Sequence, residues 1–436
     1  MSRVALRLFL VLISTAWSAN AVKGEATGNL RAGAARVEIT PSADELPFPA
    51  RNLPPFVGVH DPVFARALVL NDGTTEVAFV IVDVTEIPEP DQFSKSVADA
   101  LGIPASHIIL AASHTHSEPL VNYRGNQTQA AFVRRFDHVQ QGAVEAAKEA
   151  KAQLRPARIG FARGEAWVNI NNGQGGSLLE QGDPHGPSDK SLDLIRVQAT
   201  DGSTIALLAD FGVPGTVMLD SVAGNGGQEV SADLIGLAAQ FVEKNLPSHP
   251  IVLFASSADG DQRPVFRALQ IAGHLPATDE GATAWGVLDV QARSLANATM
   301  TTLDKMSDGI ADVKLAASAT TVECPGQRRK TDQKTGQVTV QDTPPVKIPL
   351  SMIRIGDIAV GGVGGNVATD IGEQFKAASP IAQTTMITVM SGSVGYILTD
   401  AEYEHIGHNA AGSPLKPGCA EKAIVHGLVD LEQTKP

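Results

Sequence analysis

Cysteine is nearly absent from this chain of 436 residues: there are two, Cys324 in VECPGQ and Cys419 in KPGCAEK. In an oxidising compartment two cysteines most simply make one disulfide, and two free thiols are the alternative. Positive charge is also in short supply. The formal net charge is −13, and a chain this acidic repels phosphate backbones and anionic membrane surfaces, so nucleic acid is not an expected partner. Repeats, heptad runs and low-complexity tracts are missing, which excludes solenoids and coiled coils. After the first 21 residues no apolar run is long enough to span a bilayer, so stable membrane insertion is not expected.

Those first residues read as an address. MSR is a short basic start, VALRLFLVLISTAW is apolar apart from Arg7, and Ala19-Asn20-Ala21 is a small-x-small cleavage pattern. The pattern predicts a signal peptide over 1–21, a secreted or periplasmic product, and a single domain over 22–436.

The remainder is rich enough in apolar residues, 43% of the chain, to build a large core. Seven runs read as strands bounded by turn residues: FARALVLNDG, EVAFVIVDV, HIILAAS, STIALLADF, PIVLFASS, IAVGGVGG and MITVMSG. Between them lie helical patterns. AAFVRRFDHVQQGAVEAAKEAKAQL puts Phe132, Phe136, Val139 and Ala143 on one stripe, and SADLIGLAAQFVEKN opens at a capping Ser231. Alternating strands and helices predict an α/β fold of mixed sheets flanked by helices. Functional groups in such folds gather beyond the carboxyl ends of strands. The segments 171–189 and 326–345 read as a long loop and an exposed hairpin.

Only 11 histidines are present, yet two sit one residue apart in AASHTHSEP, just after the strand HIILAA. On an extended segment, positions i and i+2 face one side, so His114 and His116 can share one space. A neutral imidazole is a common zinc ligand, and strand-end histidines bonded to backbone are the bland alternative. Glu118, just beyond, reads as a rim residue of a pocket.

The order of GAARVEITP, GVHDPVFARALVLNDG, SHTHSEP, FGVPGTVM, SADLIG, SADGDQRP, KAASP, GYILTDAEYE and LKPGCAEKAIVHGLVDL resembles the large amidohydrolase domain of the neutral/alkaline non-lysosomal ceramidase family, from about Gly33 to about Leu431. The resemblance implies a zinc-dependent hydrolase that cleaves the amide of N-acyl sphingoid lipids in a deep pocket. It makes His114 and Tyr396 metal ligands and gives His116 the task of stabilising the oxyanion. It also implies departures. A second zinc histidine is Pro214, the metal-binding glutamate is Asn366, the reacting serine is Arg263, a tyrosine is His408, and an arginine is Asn172. Either the site is rebuilt, with His60, Asp83, Asp261, His405 or His408 supplying groups, or metal and catalysis are lost. The first alternative makes Asp261 an orienting carboxylate and His60 and His408 substrate contacts. The second leaves a noncatalytic protein that binds a lipid or amide ligand.

Overall fold

A computed structural model describes residues 28–50, 53–173, 182–222, 226–268, 281–331, 338–404 and 408–433. The signal-peptide reading of 1–21, the middle of the loop 171–189, the tip of the hairpin 326–345, and His405 lie outside the described residues.

Six of the seven expected runs form strands largely as read, whereas of MITVMSG only Met386 and Ile387 do, at the end of a strand that starts at Gln383. Phe64–Asn71, Glu76–Val82, Ile108–Ala112, Thr204–Phe211 and Ile251–Ser256 join Arg31–Glu38, Arg155–Glu165 and Ser191–Ala199 in one sheet of eight. Its two ends are parallel pairs, Glu76–Val82 with Ile108–Ala112 and Thr204–Phe211 with Ile251–Ser256, whereas the middle is antiparallel. Ile358–Val363 and Gln383–Ile387 belong to a second sheet of four with Leu315–Thr331 and Val338–Ile355.

The continuous apolar runs follow from what covers each face. Along Glu76–Val82, Ala78, Val80 and Val82 enter one core, while Val77, Phe79 and Ile81 enter another. This is the period of two of a strand buried on both sides. The first core is closed by helices Pro90–Leu101 and Ala130–Ala152, whose Phe132, Phe136, Val139 and Ala143 form the expected buried stripe. The second core lies between the sheets, where Phe79 and Ile81 share space with Ile353, Ile355, Val360 and Ile387. Helices Asp233–Asn245 and Gly281–Asp304 cover the rest of the large sheet, and helices Thr369–Ala378 and Ala420–Gln433 cover the small one. The order of layers is therefore helix, sheet, sheet, helix. Burying a side chain such as Phe132 contributes about 2–3 kcal/mol.

Cys324 and Cys419 form a disulfide with their Cα atoms 5.7 Å apart. It ties the last helix to the long hairpin of the second sheet. Among the described residues no helix is long and apolar enough to cross a membrane.

Candidate active site

Where Ile108–Ala112 ends, the chain makes a sharp turn. His114 adopts a left-handed backbone, φ 64°, a conformation a non-glycine residue holds only when its surroundings fix it. Here they do. The Gly215 N–H donates to the His114 carbonyl at 3.0 Å and the His116 N–H to the Gly215 carbonyl at 2.9 Å. Position 215 must be glycine for this contact, because a Cβ there would stand 2.9 Å from Thr115 Cα. Thr115 and Ser117 extend the stitching by donating to the Ser231 carbonyl and to Asp233.

Ser231 lies one residue outside its expected capping position. Ala232 already has helical angles and the helix runs Asp233–Asn245, although Ser231 Oγ still accepts from the Asp233 N–H at 2.9 Å. Asp61 completes this corner, accepting from Ser231 Oγ at 2.6 Å and the Ala232 N–H at 2.9 Å.

The strand ends enclose a cavity of about 660 Å³, a size that suits a small-molecule ligand. His114 and His116 line it with ring centroids 5.1 Å apart. Tyr396 and Asp261 line it as well, with Pro214, Asp259, Arg263 and Arg267. Residues expected to meet in one space from positions 114, 116, 261 and 396 therefore do.

Their partners assign the chemistry. His114 Nδ1 pairs with Asp259 Oδ2 at 2.7 Å, and Ser256 Oγ donates to the same oxygen at 2.6 Å. A carboxylate on Nδ1 fixes the tautomer and leaves Nε2 as the working nitrogen. The orienting carboxylate is thus Asp259 rather than Asp261. Asp261 is held by other donors: Oδ1 accepts from the Thr369 N–H and hydroxyl at 2.9 and 2.8 Å, and Oδ2 accepts from Asn171 Nδ2 at 3.0 Å. Burial raises the Asp261 pKa.

Burial, then the neighbouring His114 and Arg267, hold the His116 pKa well below the ordinary histidine value, so this imidazole is neutral at neutral pH. Burial, then the charge of Asp259, raises that of Tyr396 and keeps its phenol a proton donor. Burial, then the like charge of Arg267, lowers Arg263 to about 10.

Other candidates fall elsewhere. His60 does not line this cavity: its Nδ1 pairs with Asp61 at 2.8 Å and its ring stacks on Trp285 at 3.7 Å between centroids. His408 opens the short helix His408–Gly412, and its side chain lies outside the described residues. Asp83 is buried, accepting from the Phe64 N–H and from Arg66, both at 2.8 Å. Glu118 is not a rim residue. It is fully buried, and burial, opposed by the Arg135 guanidinium, raises it to about 7. Asp259 and Arg267 were not singled out by sequence. Asp259 precedes Asp261 by two positions after the same strand, and nothing in SADGD distinguishes the two carboxylates.

Zinc does not fit this set of groups. No cluster of three or more His, Cys, Asp or Glu able to hold a metal ion occurs among the described residues. The Pro214 side chain has no ligand atom, and Asn366 does not line the cavity, its amide oxygen accepting from Ser393 Oγ at 3.1 Å. Two guanidinium side chains line the same cavity beside the carboxyl groups of Asp183, Asp220, Asp259, Asp261, Asp370 and Glu402, which do not gather with the histidines into a metal-holding cluster among the described residues.

Comparison with known proteins agrees with the fold. Neutral ceramidase A of Dictyostelium discoideum is 28% identical over 202 residues, covering 42% of this chain and 26% of that protein. Neutral ceramidase of Mycobacterium tuberculosis is 26% identical over 238 residues, covering 48% and 36%. The matched regions thus span about a quarter to a third of these relatives' lengths. The crystal structure of neutral ceramidase from Pseudomonas aeruginosa superposes with a TM-score of 0.71 at 18% identity, over 92% of this chain and 74% of that one. A structure described as ceramidase complexed with C2 gives 0.72 at 17%, with the same coverage. At these identities the superpositions speak for the fold alone. The model of the neutral/alkaline non-lysosomal ceramidase N-terminal domain matches residues 33–270, more than half of the sequence, and the chain belongs to that family.

Proposed function

We propose that the protein is a secreted or periplasmic hydrolase of N-acyl amides, a single domain over 22–436, whose reacting groups are side chains in place of the family's zinc. The observation that carries this reading is the hydrogen bond from His114 to Asp259 at the wall of the cavity. The carboxylate holds the imidazole in the tautomer that leaves Nε2 free to accept a proton. His114 Nε2 takes a proton from water as the water oxygen adds to the amide carbonyl. Negative charge then develops on the carbonyl oxygen, where neutral His116 and the protonated Tyr396 phenol are the available donors. As the C–N bond breaks, His114 returns its proton to the leaving nitrogen, giving a carboxylic acid and an amine. Asp261 holds the loop around Asp259 in place through Thr369 and Asn171. The leader-like residues 1–21 and the Cys324–Cys419 disulfide support export.

A panel of fluorogenic N-acyl amides tests the reading. His114→Ala is expected to abolish turnover. His116→Ala is expected to lower kcat by about 10²–10³-fold, the usual loss for an oxyanion donor. Asp259 is a positioning residue, so Asp259→Asn should lower kcat with little change in KM, because the tautomer and orientation of the imidazole are lost rather than a substrate contact. Hydrolysis of every amide in the panel at equal rates by wild type and His114→Ala would refute it.

A further inference from the structure

One buried serine at the edge of the cavity touches two tyrosines. Tyr396 lines the cavity from the two-residue strand Tyr396–Ile397, which pairs with Asn366–Val367. Tyr403 belongs to the helical turn Ala401–Glu404, whose Ala401 and Glu402 line the same cavity. Ser413 follows the short helix His408–Gly412 and is buried. Its Oγ donates to the Tyr396 main-chain carbonyl at 2.8 Å and lies 2.7 Å from the Tyr403 hydroxyl.

A serine hydroxyl carries one proton. Since Ser413 gives it to the Tyr396 carbonyl, its oxygen accepts from Tyr403, and the donors run in one direction, from the Tyr403 O–H to the Ser413 O–H to the Tyr396 carbonyl. Burial, opposed by the bond to Ser413, pushes the Tyr403 phenol up to about 12, so it keeps the proton that this direction requires. Hydrogen bonds in such a chain polarise and strengthen one another.

The long strand Leu315–Thr331 holds this chain from outside the cavity. Gln327 donates its N–H to the Pro414 carbonyl at 2.7 Å and its side-chain amide to the Leu415 carbonyl at 2.6 Å. The Lys416 N–H donates to the Pro325 carbonyl at 2.9 Å, and the Cys324–Cys419 disulfide follows just beyond. The Arg329 guanidinium lies over the Tyr403 ring, 6.0 Å from its centroid. On the cavity side, Gly412 lies against the Tyr396 ring, where a Cβ would stand 2.9 Å from Cδ2. Serine and glycine thus fix the main chain and the ring of Tyr396 from neighbouring positions. A donor to a developing oxyanion works only when it is held in place beforehand, and a strand of two residues supplies little hold of its own. From this arrangement we infer that Tyr403 and Ser413 are positioning residues that hold the Tyr396 phenol at the cavity wall through two consecutive hydroxyl hydrogen bonds.

The inference rests on the amide-hydrolase reading for its effect on rate, but not for the geometry. The chain has three tyrosines, Tyr123, Tyr396 and Tyr403, so protein labelled with carbon-13 in the tyrosine ring gives one set of ring signals for each, assigned by single Tyr→Phe variants. Tyr403→Phe removes one oxygen and keeps the ring. It should shift the Tyr396 signals and leave in place those of Tyr123, which packs on Phe132 and Phe136. Ser413→Ala should shift the signals of Tyr396 and Tyr403 together. Tyr396 signals that stay unmoved in Tyr403→Phe overturn the inference, and this variant decides the matter where Ser413→Ala fails to fold.

On fluorogenic N-acyl amides, Tyr403→Phe should lower kcat about two- to tenfold, the range of one hydrogen bond, with KM within about twofold. In a Tyr396→Phe background the same substitution should lower kcat no further, because the group it positions is already missing. An equal loss in both backgrounds would show that Tyr403 acts on the shape of the cavity as a whole, and would overturn the inference. Shifted Tyr396 signals in a protein that hydrolyses no amide would leave the positioning standing and remove the catalytic reading.

Discussion

At the scale of single residues, the least expected feature is Glu118. Its charge suggested a place at the mouth of a pocket, yet it lies in the interior against Arg135. The reason is legible in hindsight. Arg135 falls within the Phe132–Phe136–Val139 stripe of its helix, so its side chain is carried into the core and faces the HTHSE turn. Because the folded pKa, about 7, exceeds the ordinary value of 4.5, the native state favours the protonated acid. The stabilising contribution is complete below about pH 4.5 and is lost as pH rises towards 7. Glu118→Gln mimics the protonated acid. It should leave stability at pH 5 nearly unchanged and raise it at pH 8, by on the order of 1–3 kcal/mol. Urea denaturation at the two pH values checks this, and a variant destabilised equally at both would contradict it.

Elements show which parts of the molecule the sequence could reveal. The strands were readable because apolar runs of five to eight residues ended at turn residues, and the helix 130–152 because its apolar residues recur every three or four positions. That His114, His116 and Tyr396 share a cavity followed from strand-end placement and from the family resemblance together. The choice between Asp259 and Asp261 did not, since both lie on one turn and only the packing of Ser256, Thr369 and Asn171 around them assigns their oxygens. His60 was misplaced for a similar reason: its neighbour Asp61 is needed to hold the Ser231–Ala232 corner, and that draws the imidazole onto Trp285. Of the exposed hairpin expected over 326–345, the described residues are the outer parts of two long strands, Leu315–Thr331 and Val338–Ile355. Just before that segment, within Leu315–Thr331, Cys324 holds the turn before the last helix, closing a loop with a sequence separation of 95. Loss of that bridge through Cys419→Ser should cost ~4 kcal/mol in a loop of this length. The denaturation midpoint should fall accordingly, and an unchanged midpoint would show that the helix is held by packing alone.

The whole molecule keeps the fold of the family. A cavity built for a divalent cation gathers imidazoles and carboxylates around one point. This one is lined by two imidazoles, a phenol, two guanidinium groups and six carboxyl groups, with no three metal-ligating groups clustered among the described residues and with Asp259 bonded to His114. On the proposed reading the scaffold is retained while the reacting groups differ, as expected where fold and chemistry are separable. The most direct measurement is the zinc content and N-acyl amide hydrolysis of one chelator-dialysed preparation, assayed before and after zinc is returned. The account predicts well below about one zinc per chain and an undiminished rate. A rate that disappears with the metal and returns with one equivalent of zinc would contradict it.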